Sequence, residues 1–137
     1  MRLFTHNLLV CNVRACVATA SRAADAPPAN FPLRIEVAAG EGSLRQEATE
    51  FRPEAVARLL QKLDWAALRA AASQLGIAEL PAAPPARPEE DPGFLKSVHD
   101  LVLDVHVMEG RLVCPNCGRG FPISKGIPNM LLTDDEL

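Results

Sequence analysis

Two short stretches, CNVRAC at residues 11–16 and CPNC at residues 114–117, contain all four cysteines of this 137-residue chain and decide its fold. Two closely spaced pairs with no cysteine left over are typical of a tetrahedral site in which four thiolates hold one zinc ion. Such a site joins residue 11 to residue 117, so both ends of the chain must belong to one domain. The sequence between the two cysteine pairs is then inserted between the two ends of that domain.

The residues around the second pair suit a zinc-binding turn. Pro115 fixes its own φ angle and Gly118 permits a positive φ, so the backbone can curl until both sulfurs reach one ion. The first pair has four intervening residues, a wider spacing that is still usual for zinc. We predict one structural zinc ion per chain with four ligands: Cys11, Cys16, Cys114 and Cys117.

Three other interpretations of the cysteines are free buried thiols, a disulfide framework and a redox-active CxxC motif. A disulfide framework requires an oxidising compartment. A thioredoxin-like redox motif requires a helix that begins at the motif within a βαβ unit. The CPNC turn lies instead between two short predicted strands, which favours metal binding.

The charge and composition of the chain argue against a nucleic-acid surface. The net charge is −3, the pI is about 5.6, and five Phe, one Trp and no Tyr leave little to stack on bases. The first 16 residues are too polar for a signal peptide or a membrane span, which predicts a cytosolic or nuclear protein. The terminal DDEL resembles a retention signal of the secretory pathway, but an acidic, solvated tail is the preferred interpretation.

The period of the apolar residues changes along the chain and predicts an α+β protein. Helical spacing predicts helices within residues 2–10, from Pro53 onward, from an N-cap at Asp64 to a C-cap at Gly76, and from Asp91-Pro92 onward. Alternating patterns predict strands at residues 33–37, 47–51 (the weakest), 103–107, 111–114, 121–124 and 127–132. Residues 17–30 are predicted to be a loop, and residues 78–92, with five prolines, an extended linker.

These elements predict two domains. A small zinc-binding domain with an antiparallel sheet is built from both ends of the chain, residues 1–51 and 101–137. A helical insert of about three helices occupies residues 52–100.

The residue patterns do not predict catalysis. Four thiolates close the coordination shell of a zinc ion and leave no position for a reactive water. His6, His99 and His106 are predicted to be structural or solvated, and no glycine-rich phosphate loop follows a strand. We therefore predict that the chain is not an enzyme.

The apolar segment at residues 127–132 is the predicted last strand. Pro128 lacks an N–H group, so this strand belongs at the edge of a sheet. An exposed apolar edge requires a cover. The cover is either internal, such as the N-terminal segment, or a partner that adds its own strand.

Four segments give the chain a resemblance to a known family: MRLFTHNLL at residues 1–9, FRPE at 51–54, LDW at 63–65 and GFPISKGIPNMLL at 120–132. In this order they resemble the small zinc-binding activator subunit that several eukaryotic and archaeal S-adenosylmethionine-dependent methyltransferases share. Some members, including the vertebrate form, lack the zinc cysteines, and this chain is similar to the cysteine-bearing kind.

The resemblance implies a non-catalytic partner protein. Members of the family form heterodimers with Rossmann-fold methyltransferases that modify tRNA, ribosomal RNA and a translation termination factor, and they keep these enzymes soluble and folded. The last strand of the activator extends the sheet of the enzyme. Carried onto this sequence, the implied interface consists of Phe4, Thr5, Asn7, Ile123, Ile127, Pro128, Asn129, Met130, Leu131 and Leu132.

A zinc-ribbon module that binds nucleic acid is the alternative function. It requires a basic surface that bears aromatic side chains beside the cysteines. The basic residues available there are Arg14, Arg111, Arg119 and Lys125, within an acidic chain.

Overall fold

A computed structural model describes residues 1–20, 28–77 and 79–137, and it confirms the predicted α+β class. Among these residues, the helices are α1 (Leu3–Leu8), α2 (Arg14–Thr19), α3 (Pro53–Leu60), α4 (Trp65–Leu75) and α5 (Pro92–His99). The strands are β1 (Arg34–Val37), β2 (Leu44–Gln46), β3 (Val105–Val107), β4 (Gly110–Val113), β5 (Gly120–Ser124) and β6 (Ile127–Pro128). A π-helical turn at Asp100–Asp104 and 3-10 turns at Pro88–Glu90 and Asp134–Glu136 complete the regular structure.

The main sheet joins the two ends of the chain. Its four strands are antiparallel in the order β1-β4-β5-β6, so the N-terminal strand β1 lies beside the C-terminal strand β4. Ile35 faces Leu112, which in turn faces Phe121, and these three buried side chains form the inner face of the sheet. The order leaves β6 at the edge.

The hairpin between β5 and β6 has a tight two-residue turn. Lys125 and Gly126 have φ angles of 53° and 78°, the left-handed pair that a two-residue hairpin loop requires. A second, two-stranded sheet pairs β2 with β3, and Arg2 adds a single bridge to His106 on β3. The first residues of the chain are thereby held against its last hairpins.

Helix α4 begins and ends where the sequence predicts. The Asp64 carboxylate accepts a hydrogen bond from the Ala67 N–H at 2.9 Å, and Gly76 ends the helix with a φ of 67°. None of the helices in the described residues has the length and apolar character needed to cross a membrane.

One buried core contains residues from both predicted domains. Leu68 of α4 and Leu95 of α5 belong to the same apolar cluster as Leu33, Leu112 and Phe121. The division into a zinc-binding domain and an insert stays a prediction, while the three helices predicted within residues 52–100 are confirmed.

The predicted strand at residues 47–51 is wrong, because the pairing with β3 ends at Glu47 and the Thr49 N–H bonds to the side chain of Asp104 instead. The strand lies upstream, as β2. The Asp104 carboxylate accepts from the Thr49 hydroxyl at 2.6 Å and from the Thr49 N–H at 3.2 Å. The backbone carbonyl of Asp104 accepts from the Glu47 N–H at 2.9 Å. Side-chain hydrogen bonds of this kind compete with strand pairing.

Three further boundaries differ from the sequence prediction. The predicted loop at residues 17–30 begins within α2, which runs to Thr19; residues 21–27 of that loop lie outside the described residues. The predicted strand at 103–107 begins only at Val105, because the π-helical turn prolongs α5. The linker forms a 3-10 turn at Pro88–Glu90, where the Glu90 N–H donates to the Arg87 carbonyl.

Candidate metal centre and exposed sheet edge

The four cysteines from the two ends of the chain meet in one cluster. The Cys11 and Cys117 sulfurs lie 3.8 Å apart and the Cys16 and Cys114 sulfurs 3.6 Å apart. All four sulfurs lie within 4.8 Å of one another, so the cluster can hold a metal ion. Three of the cysteines are buried, and Cys117 is exposed.

The sulfur spacing fits a tetrahedral ion. With Zn–S bonds of about 2.3 Å, the edge of the tetrahedron is about 3.8 Å, close to both measured distances. A disulfide requires sulfurs about 2.05 Å apart, so no two of these cysteines are bonded to each other. The geometry therefore favours the metal interpretation over the disulfide one.

The turn that carries the second pair directs backbone donors at one sulfur. The N–H groups of Asn116 and Cys117 point at the Cys114 sulfur from 3.4 and 3.5 Å. Gly118 closes the turn with a φ of 78° and donates to the Cys114 carbonyl at 2.9 Å. The positive φ angle that the sequence predicts for Gly118 is therefore present.

Burial and these donors act on the thiols in opposite directions. Burial raises the pKa of Cys11 and of Cys16. Burial also acts to raise the pKa of Cys114, but the backbone N–H groups of Cys117 and Asn116 bring it below the ordinary value. The two N–H groups therefore favour the thiolate form of Cys114.

The three histidines lie outside this cluster. His6 is buried and donates through Nε2 to the Leu33 carbonyl at 2.6 Å, and burial lowers its pKa. His99 is buried between Thr49 and Asp100, with contacts of 3.0 Å to each. His106 is half-buried on β3, and burial lowers its pKa.

The predicted last strand is shorter than expected, and this corrects the range 127–132. Only Ile127 and Pro128 pair with β5, and the Asn129 N–H adds one bond to the Pro122 carbonyl at 2.8 Å. The chain then leaves the ladder, because the Leu131 N–H bonds to the Asn129 side chain instead.

The predicted interface residues at this edge differ in exposure. Ile127 is 70% exposed and Leu131 is 80% exposed, the highest value among the exposed large apolar residues described. Asn129 is also exposed, whereas Pro128 is half-buried. Met130 and Leu132 are half-buried and pack against the core.

The other four predicted interface residues lie deeper. Phe4 and Thr5 on α1 are half-buried. Ile123 is buried, and Asn7 is buried with its amide bonded to the backbone of Asp64 through both Nδ2 and Oδ1. Their contact with a partner stays a prediction, and Asn7 has an internal role that joins α1 to the start of α4.

Arg119 fixes the segment that follows β6. Its guanidinium makes two bonds to Glu136, Nε to Oε2 at 2.6 Å and Nη2 to Oε1 at 3.0 Å, and Nη2 also donates to the Leu131 carbonyl at 3.2 Å. The same group lies 4.7 Å from the centre of the Phe121 ring. Glu136 in turn accepts from the N–H and hydroxyl of Thr133. We name this arrangement of Arg119 and Glu136 the C-terminal clamp.

Neutralising the C-terminal clamp is expected to loosen residues 129–136. The Arg119 bonds hold the pKa of Glu136 at about 2, below the ordinary 4.5. Ionised Glu136 therefore stabilises the fold above pH 4.5, and that contribution is lost as the pH falls through about 2. We expect Glu136→Gln to speed amide exchange of this segment at pH 7 and to flatten its acid dependence. Asp134→Asn, which removes a charge from the same turn, is the control; equal exchange in both variants would contradict the role of the clamp.

Sequence analysis missed two parts of this region. Arg119 entered it only as a basic residue, and Asn116 only as a letter of the CPNC motif. Each acts through contacts with residues far along the chain, Glu136 for Arg119 and Cys16 for Asn116. The signal that could have found Asn116 and Arg119 is their position, between the paired cysteines and just after them.

The fold and the cysteine cluster define a class of protein: a small α+β chain whose two ends are joined at a candidate four-thiolate metal centre. Residues 2–126 match the model of the Trm112p-like protein family, and the chain belongs to this family.

Relatives from distant organisms match along almost the whole chain. The multifunctional methyltransferase subunit TRM112-like protein of Mus musculus is 46% identical over 99% of this chain and 98% of the relative. The TRM112 homolog A of Arabidopsis thaliana is 41% identical over the full length of both, and the TRM112 subunit of Saccharomyces cerevisiae 33% over 96% of both. A chain in the solved E. cuniculi Mtq2–Trm112 complex, responsible for methylation of the eRF1 translation termination factor, is 18% identical, with a TM-score of 0.47 over 96% of this chain and 95% of that one.

Proposed function

We propose that this protein is a non-catalytic subunit that binds and activates S-adenosylmethionine-dependent methyltransferases acting on tRNA, ribosomal RNA and a translation termination factor. Full-length relatives in an animal, a plant and a yeast carry the name multifunctional methyltransferase subunit. The observation that carries the proposal is the exposed apolar surface at the edge of the main sheet, formed by Ile127 of β6 and by Leu131, which follows the strand. A cytosolic and nuclear location accompanies the proposal, since reduced thiols persist there.

The edge is suited to a partner that adds a strand. Strand β6 has β5 on one side, and the sheet order places no strand of the described chain on the other. The Asn129 N–H points towards β5, and N–H groups of successive residues point to opposite sides of a strand. The missing N–H of Pro128 therefore falls on the outer side, where it breaks no ladder within the chain but leaves a partner strand only the Pro128 carbonyl to bond at that position.

Apolar contact supplies the remaining affinity. Ile127 and Leu131 are large apolar side chains that lie almost fully in water, and burying one such side chain contributes about 1.5–3 kcal/mol. A methyltransferase with an uncovered apolar sheet edge would gain both solubility and rigidity from this cover.

We propose that the metal is one zinc ion with a structural role. Cys11, Cys16, Cys114 and Cys117 would hold it, and four thiolates leave no open position for a substrate or water. The ion supplies a cross-link between the two ends of the chain. Arg119 follows the second cysteine turn directly, and through the C-terminal clamp it holds the exposed segment in place.

The charge pairing weighs against a nucleic-acid surface beside the cysteines. Of the four basic residues available there, Arg111 pairs with Glu36 at 2.9 Å and Arg119 pairs with Glu136 at 2.6 Å. Their charges are thus compensated within the protein. This observation favours the subunit function over the zinc-ribbon alternative.

Co-expression tests the proposed function. The tagged protein is produced together with candidate methyltransferases from the same genome, and each enzyme is produced alone for comparison. We expect stable one-to-one complexes, with a several-fold gain in soluble enzyme and in S-adenosylmethionine-dependent activity. The protein alone should transfer no methyl group. Failure to capture any methyltransferase, or methyl transfer by the isolated chain, would overturn the proposal.

A further inference from the structure

Asn116 reaches from one cysteine pair to the other. It lies in the turn between Cys114 and Cys117, but its side-chain Nδ2 lies 3.2 Å from the sulfur of Cys16. The same nitrogen lies 3.3 Å from the Cys16 carbonyl and 3.1 Å from the Thr19 hydroxyl oxygen. Every one of these partners is on α2, at the other end of the chain.

The orientation of this amide is fixed by its partners. The Cys16 carbonyl can only accept a hydrogen bond, so the NH₂ group of Asn116, and not its oxygen, must face α2. The Thr19 hydroxyl lies 3.2 Å from both the Ala15 and Cys16 carbonyls, to which it donates, which leaves its oxygen lone pairs for the amide. The Cys16 sulfur is thus an acceptor of an N–H bond.

We infer that Asn116 is a positioning residue of the metal centre, which donates to the Cys16 thiolate and holds the two cysteine pairs at ligating distance. The inference rests on the proposed zinc site. Donors to ligating atoms fix their orientation and stabilise the ionised form, and removing such an outer partner typically lowers metal affinity by about 10–100-fold.

The two buried sulfurs that face each other obtain their donors in different ways. Cys114 receives two backbone N–H groups from its own turn, which a change of side chain other than to proline leaves in place. Cys16 receives a side-chain donor, and burial raises its pKa. Among the described residues, Asn116 is therefore the one non-cysteine side chain that donates to a ligating sulfur, so its substitution can weaken that hydrogen bond without changing a ligand.

Metal binding to the full-length chain tests this inference. Asn116→Ala and the isosteric Asn116→Asp are compared with Asn12→Ala, which alters an exposed asparagine beside Cys11. Zinc affinity is measured by competition with a chelating dye, and Co²⁺ is substituted to record the sulfur-to-metal charge-transfer band. We expect about 10–100-fold weaker zinc binding in both Asn116 variants. The zinc affinity of the control should be unchanged. Since an N–H donor stabilises the sulfur lone pairs, its loss should also move the band to longer wavelength.

The outcomes separate this inference from the proposed function. If the unmodified protein binds neither ion at four thiolates, the proposed zinc site fails. If it binds both, while the Asn116 variants match Asn12→Ala in affinity, the inference is overturned. Weaker zinc binding with an unmoved charge-transfer band also overturns it, because Asn116 would then act on the fold and not on the sulfur. Asn116→Asp preserves the side-chain shape and gives a result if the alanine variant does not fold.

Discussion

Cys114→Ser is expected to destabilise the protein by about 5 kcal/mol or more and to abolish its binding of zinc. The contact between Cys11 and Cys117 spans 106 residues, and a cross-link that closes a loop of about 100 residues restricts the unfolded chain by about 4–5 kcal/mol. Structural zinc sites contribute about 10–16 kcal/mol in small domains, which is as large as the whole stability of a typical domain. The loss should therefore appear as partial unfolding at 37 °C.

Chelation provides the control for this prediction. A strong chelator should lower the urea midpoint of the unmodified protein and leave that of Cys114→Ser unchanged, because the variant has no metal to lose. Metal analysis of the purified protein should give about one zinc per chain. A metal-free protein whose unfolding does not respond to the chelator would contradict the zinc assignment.

The double substitution Ile127→Asp with Leu131→Asp is expected to reduce methyltransferase binding by at least about 100-fold. Buried apolar anchors at an interface are each worth about 2 kcal/mol or more, and 1.4 kcal/mol is a factor of ten. Placing carboxylates at such positions adds an unpaired charge to the buried contact. Because both side chains lie in water in the free protein, its free energy of unfolding should change by less than about 0.5 kcal/mol.

The choice of positions matters for this experiment. Met130 is half-buried against the core, so a charge there would disturb the fold and the binding together. Ile77→Asp is the matched control, since Ile77 is an exposed isoleucine, 41% accessible, in the loop after α4. Affinity is measured by titration of a purified methyltransferase with each variant. Equal loss with Ile77→Asp, or full affinity of the double variant, would contradict the assigned surface.

The cysteine pairs and the caps of α4 could be predicted because their signals are local chemistry. Paired thiols have few uses in a reducing compartment, and the spacing of CPNC already limits the backbone between them. Asp64 and Gly76 mark the ends of a helix by the conformations that they favour, independently of the rest of the chain. For the same reason the sharp turn at Gly118 was predictable.

The predicted boundaries are wrong where hydrogen bonds to residues far along the chain determine the backbone conformation. The predicted strand at residues 47–51 does not form, because the buried carboxylate of Asp104 takes the hydrogen bonds of the Thr49 N–H and hydroxyl. Residues after Pro128 have an apolar pattern, but Arg119 and Asn129 draw their backbone away from the ladder. Helix α2 has only six residues, too few for a periodic signal, and it carries Cys16 into the cluster. A local pattern of apolar and polar residues does not contain the position of a hydrogen-bond partner about 50 residues away.

The C-terminal clamp has a similar origin. Arg119 could be recognised from the sequence as charged, but its bond to Glu136 depends on how the chain returns past β5. Of the interface implied by family resemblance, Ile127 and Leu131 are exposed, whereas Asn7 is buried and bonded inside the molecule. Exposure is a property of the assembled fold.

The placement of the cysteines at opposite ends of the chain also orders the events of biosynthesis. Cys16 and Cys11 leave the ribosome 98 and 106 residues before their partners Cys114 and Cys117, so for most of translation the chain has half of a ligand set. Any product that stops before Cys114 can neither complete the centre nor bring its two termini together. Capture of the proposed zinc ion would thus discriminate finished from unfinished molecules, and the supply of zinc in the cell would limit how many of them become competent to assemble.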